Sequence, residues 1–333
     1  MYKNNTICAV VPAYNEEKLI EETLSGILDC KTDIDKIYVV DDKSTDKTME
    51  KIKKFKEEKD KNNKIYIIHH ERNGGVGAAI ISGYKQALKD RIDISVVMAR
   101  DHQMDPSQLP RMIKPIISGR VDYTKGNRLL SREYRKGMSK WRFVGNSLLT
   151  LLTKIASGYW QIMDPQNGYT AISRNLLERL NLDNIYKRYG YCNDLLVKLN
   201  TLNAVVLDIS MPARYGRERS GINYIAYIHK VSYLLLKDFF LRLMMKYGIL
   251  SFHPLLGFYL FGIIMTPVGL MLAFDVFYGK FISHTPVSQN FPLLAAFLLI
   301  IGIHFILFAM LFDMEMDPNK RKETTFGKNE DEF

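Results

Sequence analysis

The chain has 333 residues, 47% of them hydrophobic and 25% charged, with a net charge of +10, a pI near 9.2 and a mean hydropathy of −0.12. That length and balance suit one large α/β domain or two smaller ones and exclude a disordered, collagen-like or low-complexity chain. The positive charge asks for an anionic partner such as nucleic acid, a phospholipid surface or a phosphorylated substrate, and three scattered cysteines (Cys8, Cys30, Cys192) exclude a disulfide framework or a zinc spacing.

Strand and helix patterns alternate from the start. A β-rich run, Thr6–Val11, is too short for a signal peptide and meets Pro12 at once. A helical pattern follows over Glu16–Leu28, then a strand at Lys36–Val40, a helix from Thr45 to Lys59 and a strand at Lys64–His69. A Gly-rich turn, a helix over Ala78–Lys89 and a strand at Ile94–Met98 complete the series. The βαβα order predicts a parallel sheet covered by helices, with ligands outside the carboxyl ends of the strands. Polar residues bunch at all four ends: Tyr14-Asn15-Glu16, Asp41-Asp42, Arg72-Asn73-Gly74-Gly75 and Arg100-Asp101-His102-Gln103. Neither a G-x-G-x-x-G after the first strand nor a P-loop is present. Carboxylates at strand ends can accept hydrogen bonds from a base or ribose, or hold a divalent cation against a diphosphate. Asn15, Thr45 and Asp46 are equally good helix caps.

Downstream, Trp141, Val144, Leu148, Leu151, Ile155 and Tyr159 recur at helical spacing. Seven basic residues stand against Glu133 between Lys125 and Arg142. A second segment, Ile222–Tyr247, mixes Tyr, Leu and Phe with Lys230, Lys237, Arg242 and Lys246. Both are expected to be amphipathic helices lying on a membrane surface. Leu255–Phe274 and Phe291–Phe312 carry no charge and reach about 30 and 33 Å as helices, which matches a bilayer core. The loop Asp275–Asn290 has only Lys280, whereas Arg242, Lys246, Lys320, Arg321 and Lys322 flank the outer ends. Both chain ends and the globular part are therefore expected in the cytoplasm.

VPAYNEE at 11–17, VVDDKSTDKT at 39–48, NGGVGAAI at 73–80 and DHQMDP at 101–106 together resemble the GT-A-type inverting glycosyltransferases, in particular the membrane-bound polyprenyl-phosphate branch that includes dolichol-phosphate mannose synthase. The resemblance covers about residues 5 to 212. It implies a GT-A fold, Rossmann-like with a mostly parallel sheet. It also implies that Pro12, Tyr14, Glu16, Val40 and Asp42 line the nucleotide pocket, and that Asp101 and Gln103 hold Mg²⁺ or Mn²⁺ against the diphosphate. The family's Asp-x-Asp departs here, its first Asp being Ala99. Arg128 and Arg142, with Asn146 one helical turn beyond, fall where the family grips the acceptor phosphate, and Asn167 falls in the loop bordering the acceptor. Asp194 falls where relatives with hydroxyl acceptors place a general base; here a base, an orienting residue and a helix cap all remain open. Arg214, Arg217 and Arg219 lie where the family has a basic loop.

The expected architecture is a GT-A domain over 1–215, an amphipathic segment over 216–250, a transmembrane hairpin over 251–313 and a cytoplasmic tail over 314–333. The expected activity is inverting transfer from a nucleotide-diphosphate sugar to a polyprenyl phosphate, dolichyl or undecaprenyl, with Asp101, Arg128, Arg142 and Asp194 as catalytic candidates. The alternatives are a hydroxyl acceptor with Asp194 as base, or a silent nucleotide-sugar binder. No nucleic-acid module is recognisable. Whether hairpins associate into homo-oligomers is left open by the pattern.

Overall fold

The computed structural model describes residues 2–30, 32–98, 104–128, 140–212, 224–249 and 253–320, without the side chains of 140–144, 146 and 224–226. The chain divides into two units, residues 1–238 and 239–333.

The first unit is built on a seven-stranded sheet. Four strands run parallel: β1 (Ile7–Ala13), β2 (Lys36–Asp41), β3 (Ile65–His69) and β4 (Ile94–Val97). β1 and β4 are buried throughout and apolar but for Ser95, as expected of parallel strands covered on both faces. Between them run α1 (Ile20–Leu28), α2 (Thr48–Lys59) and α3 (Val76–Lys89). The helices begin later than the sequence pattern suggests for α1 and α2, because Glu16, Asn15 and Asp46 are spent in the loops that precede them. α4 (Leu109–Ile117), β5 (Tyr123–Asn127), α5 (Lys140–Ser157), β6 (Thr170–Ser173), α6 (Arg174–Arg179), α7 (Tyr191–Thr201) and β7 (Val206–Ser210) follow.

The strand order is β3-β2-β1-β4-β6-β5-β7. β6 is inserted antiparallel between β4 and β5, and β5 pairs parallel with β7. One cluster of apolar side chains fills each face. α3 approaches β1 so closely that a Cβ on Gly83 would lie 2.3 Å from Val10 Cγ1. This contact keeps the end of β1 level with the first turn of α3.

The stripe expected on α5 is narrower than its spacing implied. Leu148 and Leu151 are exposed, but the helix ends at Ser157. Tyr159 lies beyond it, wholly buried, with its hydroxyl donating to Ala204 O at 2.6 Å. Tyr159 belongs to the core of the globular unit.

α8 (Tyr224–Arg242) carries the chain from the first unit into the second and continues as a π-helical turn over Leu243–Ile249. Tyr233, Leu236, Leu241 and Met244 are exposed along it while Val231 and Leu235 are buried.

In the second unit, α9 (Pro254–Phe281) and α10 (Asn290–Glu315) are long and apolar enough to cross a membrane. Only 22% and 17% of their most apolar windows are buried, the reverse of what a soluble core helix needs. These helices mark a membrane protein. They outrun the expected spans: α9 takes in Asp275 and Lys280, and the connection shrinks to residues 282–289. They touch through small residues, since a Cβ on Gly262 would lie 3.0 Å from Gly302 O. His304 finds its partner in its own helix, with Nδ1 2.7 Å from Ile300 O. Among the described residues of this unit, one charge pair is wholly buried and joins Arg242 to both oxygens of Asp313 at 2.7 and 2.8 Å, with the Tyr247 hydroxyl also donating to Asp313. A buried pair so completely bonded escapes most of the penalty of desolvation.

Candidate functional site

The carboxyl ends of β1, β2 and β3 lie in register, with Pro12 opposite Val40, Ala13 opposite Asp41 and Asp41 opposite His69. Their loops are laced together by the polar residues picked out in the sequence. Asn15, at φ 54°, accepts from Thr45 N at 2.8 Å, and its own amide donates to Ser44 Oγ at 3.0 Å. Glu16 N donates to Thr48 Oγ1 at 2.6 Å, while Asp46 accepts from Thr48 N and Glu17 N. Asn15 and Asp46 thus bind loop to loop, in addition to any part in helix starts. Tyr14 is exposed at the rim; Glu16 and Val40 are buried.

Asp42 is buried too, and its carboxylate is fully engaged. Oδ1 accepts from Gly74 N at 2.9 Å and lies 2.7 Å from His70 Nδ1, and Oδ2 accepts from Gly75 N at 2.7 Å. His70 Nε2 lies 2.8 Å from Ser82 Oγ. Asp42 therefore shapes the Gly-rich turn that opens α3. Gly75 is at φ 94°, and a Cβ there would meet Lys187 O at 2.7 Å; Ala78 N donates to that same carbonyl at 3.0 Å. In this way the turn is locked to the 186–190 loop.

That loop is one wall of a cavity of about 200 Å³. Pro12 of β1, Val76 and Ile80 of α3, Val97 at the end of β4, and Met104 line it together with Arg128, just past β5, the Gln166–Gly168 loop, Tyr189–Asn193 and Tyr227. Among the described residues, of the strands expected to deliver a site only β1 and β4 reach this lining, through Pro12 and Val97.

Arg128 is held rigidly. Nε donates to Asp164 Oδ2 at 2.8 Å, Nη2 to Oδ1 at 3.2 Å, and the backbone N to Oδ2 at 3.1 Å. Burial works against ionising Asp164, but the Arg128 guanidinium outweighs it and holds the carboxyl below its ordinary value. Behind this pair, Lys125 is completely buried and donates to the Asp164 and Asn167 carbonyls. It braces the loop from within. Asn167 is nearly buried and accepts from Tyr169 N at 3.0 Å, which fixes the loop against β6.

Asp208 on β7 belongs to the same cluster. It accepts from Asn127 Nδ2 at 2.9 Å and Met163 N at 2.8 Å, both through Oδ2, while Oδ1 is buried with no partner among the described residues. Burial pushes its carboxyl up to about 6, against the pull of Lys125 and the Met163 amide. A carboxyl raised in the fold stabilises it fully below the unfolded value near 3.8 and loses that contribution as pH rises through 6. Asp208→Asn is therefore expected to gain on the wild type by about 2–3 kcal/mol between pH 4 and pH 7.5. Denaturant titrations of both proteins at the two pH values measure it, and a pH-independent difference would contradict it.

Asp194 stands apart from the cavity lining. Oδ2 accepts from Tyr186 N at 2.7 Å and Oδ1 takes the Lys198 ammonium. Burial and the nearby Asp194 charge raise the carboxyl of Asp238 on α8. Asp194 thus anchors the loop that carries Tyr189 and Gly190, whereas its neighbours Cys192 and Asn193 reach the cavity.

Arg142 and Asn146 share α5, one turn apart, with their side chains outside the described residues. Ala99, Asp101 and Gln103, as well as Arg214, Arg217 and Arg219, also lie outside them. Among the described residues no group of three His, Cys, Asp or Glu side chains could hold a metal ion. Sequence reasoning missed Asp164 as the partner of Arg128, along with Gln166, Asn193 and Tyr189 in the wall. The string Asp164–Tyr169 was the only signal for the first two, and no spacing links position 164 to 128.

The family model described as Glycosyl transferase family 2 matches residues 8–180. The UDP-N-acetylglucosamine–dolichyl-phosphate N-acetylglucosaminyltransferase of Methanococcus voltae is 33% identical over 208 residues, covering 59% of this chain and 82% of the relative. The dolichol-phosphate mannosyltransferase of Pyrococcus furiosus is 30% identical over 186 residues, which span 54% of this chain and 49% of that protein. Among solved structures, the glucosyl-3-phosphoglycerate synthase of Mycobacterium tuberculosis, in complex with Mn²⁺, uridine diphosphate and glucosyl-3-phosphoglycerate, superposes with a TM-score of 0.53 over 72% of this chain and 80% of that one. At 21% identity that likeness concerns the fold, which is GT-A.

Proposed function

The chain belongs to glycosyl transferase family 2, and from that premise we propose that it moves a sugar from a nucleotide-diphosphate sugar to a polyprenyl phosphate at a membrane surface. It is a glycosyltransferase. The observation that carries the acceptor reading is Arg128: a guanidinium clamped in a fixed plane by a buried carboxylate, in the wall of a cavity at the strand ends, in a chain that also carries two lipid-length helices. A planar fork of donors is suited to phosphate oxygens.

The acceptor phosphate lies against Arg128 and, from α5, Arg142 and Asn146. One of its oxygens attacks the anomeric carbon in line, the bond from that carbon to the donor phosphate breaks, and the nucleoside diphosphate leaves with the electron pair. Configuration inverts in one displacement. A phosphate anion brings no proton to remove, so the step needs no general base. Pro12, Tyr14, Glu16 and Val40 form the nucleotide end of the site, with Asp42 acting through the Gly74-Gly75 turn. Asn167 holds the acceptor-side loop.

Mg²⁺ or Mn²⁺ suits the chemistry at hand. Val97 and Met104 line the cavity on either side of the segment that carries Asp101 and Gln103, and a carboxylate with an amide oxygen is a hard-donor set. Asp101 and Gln103 would hold the cation. When bound, it supplies positive charge against the developing diphosphate. The apolar outer stripe of α8, together with α9 and α10, tethers the enzyme, and the basic flanks support a cytoplasmic catalytic domain with both chain ends on the same side.

The test is a transfer assay with membranes, polyprenyl phosphate and a panel of radiolabelled nucleotide sugars, with and without EDTA. Label in a lipid that mild acid releases as free sugar is the expected product. The rival hydroxyl acceptor makes Asp194 the base. Asp194→Asn is instead expected to lower thermal stability through the weakened Lys198 pair by about 1–2 kcal/mol. Its pH–rate profile should keep the wild-type shape. Loss of a catalytic pKa with donor affinity intact would favour the hydroxyl acceptor.

A further inference from the structure

Asp42, His70 and Ser82 form a closed circuit at the ends of β2 and β3. His70 follows β3 directly, its side chain is only 17% exposed, and its backbone N donates to Asp41 O at 2.9 Å. Nδ1 lies 2.7 Å from Asp42 Oδ1, and Nε2 lies 2.8 Å from Ser82 Oγ. A carboxylate can only accept, so in the neutral ring Nδ1 carries the proton and Nε2 accepts from the Ser82 hydroxyl. Ser82 sits in the second turn of α3, the helix that the Gly74-Gly75 turn opens. The chain of bonds therefore returns to the element from which it starts.

Asp, His and Ser in this order are the parts of an activated nucleophile, but the surroundings of Ser82 exclude that use. Inside a helix the nearby amides are committed to carbonyls four residues back, and none is left to hold an oxyanion. The circuit acts at its other end. Gly74 and Gly75 stand where a Cβ would meet Ala78 Cβ and Lys187 O, each at 2.7 Å. Glycine relieves that crowding but brings the largest backbone freedom, so the turn has to be held from outside. Asp42 holds it through the two amides, and His70 is a third donor on the same carboxylate. The next residue, Val76, lines the cavity, as does Ile80 one turn on.

We propose that His70 is a positioning residue for the nucleotide donor: braced by Ser82, it fixes the rotamer of Asp42 and with it the Gly74-Gly75 turn that carries Val76 into the cavity lining. The proposal rests on the nucleotide-end reading of Asp42 and its turn given above. It adds to that end of the site a residue that is not itself in the cavity lining.

The experiment measures UDP and GDP binding by calorimetry on the full-length protein in nanodiscs with Mn²⁺, and then transfer kinetics with radiolabelled sugars of the nucleotide that binds. Asn places an amide N–H where Nδ1 stands, and Gln places one where Nε2 stands. His70→Asn is expected to keep nucleotide affinity within about threefold, and His70→Gln and His70→Leu to lose about tenfold or more, the scale of one hydrogen bond to a charged group. KM for the donor should rise by the same factor with kcat little changed, because the lost contact does not touch the reacting atoms. A merely structural histidine would instead lower the melting temperature or the binding stoichiometry of all three variants and leave the dissociation constant alone. Unchanged affinity in His70→Gln and His70→Leu, or affinity lost equally in His70→Asn, overturns the proposal. A wild type that binds neither nucleotide overturns the donor reading itself, and the proposal with it.

Discussion

Arg128→Ala is expected to lower kcat/KM for the polyprenyl phosphate by about a thousandfold, the scale of a positioned donor lost from a dry site. The same change strips Asp164 of its partner. A buried carboxylate that loses its guanidinium destabilises a protein by about 3–5 kcal/mol, so a dead Arg128→Ala enzyme does not by itself identify a catalytic group. Two further variants separate the effects. Arg128→Lys keeps the charge but cannot reproduce the paired bonds to Asp164 at 2.8 and 3.2 Å, and should lose both rate and rigidity in part. The double variant Arg128→Gln with Asp164→Asn leaves a neutral, hydrogen-bonded pair in place of the ion pair. It should recover most of the stability, because a buried ion pair replaced by neutral groups of similar shape is often close to neutral in free energy. It should recover none of the rate. Thermal denaturation together with steady-state kinetics across the acceptor concentration decides the matter: a double variant that is both stable and active would remove Arg128 from the acceptor site.

The parallel half of the fold was legible because it obeys simple patterns. Runs such as Ile7–Val11 and Ile94–Val97 are apolar on both faces, and each is followed by an amphipathic helix and a polar strand end. The second half breaks those patterns. β5 reads Tyr-Thr-Lys-Gly-Asn, with a lysine that is wholly buried and satisfied by two carbonyls some forty residues away. No local rule predicts a strand from that string. β6 has only four residues and runs antiparallel, so it carries neither the length nor the crossover that betrays a parallel strand.

The site divides along the same line. Strand-end motifs locate the loops that Asn15, Asp46 and Asp42 tie together, since their positions follow from the sheet. The motifs do not reveal which atoms are already spent. Asp42 looks like a ligand in the sequence, yet its oxygens serve Gly74, Gly75 and His70. Asp194 leaves a base, an orienting residue and a helix cap open in the sequence, and in the fold it is bound to Tyr186 N and Lys198. Conversely, Gln166 and Asn193 carry no motif of their own and come to the cavity lining only once the chain is folded. Residue type gives the chemistry available, and the hydrogen-bond ledger gives the part of it left for a ligand.

That distinction sharpens the expectation for the cation. With Ala at position 99, the stretch 99–103 after β4 holds one carboxylate, Asp101, and Gln103 as a neutral oxygen donor. Oxygen-ligand sites tune cation affinity by the number of charged ligands. Asp101→Asn removes the one charged ligand proposed for the cation, and transfer should fall by about a thousandfold or more at any Mn²⁺ concentration the assay tolerates. Ala99→Asp tests the same logic in the opposite direction. A second carboxylate should lower the Mn²⁺ concentration for half-maximal rate by about tenfold, with kcat little changed, because it strengthens ground-state binding of the cation without adding a contact to the reacting atoms. Binding of Mn²⁺ in the presence of nucleoside diphosphate, followed by the loss of the free-ion paramagnetic resonance signal, gives a readout that does not depend on turnover. Tighter Mn²⁺ binding in Ala99→Asp and weaker binding in Asp101→Asn would place both positions at one cation. An Ala99→Asp protein that binds Mn²⁺ no more tightly than the wild type would mean that position 99 faces away from the cation, and that the enzyme completes its ligand set with phosphate oxygens and water around Asp101 alone.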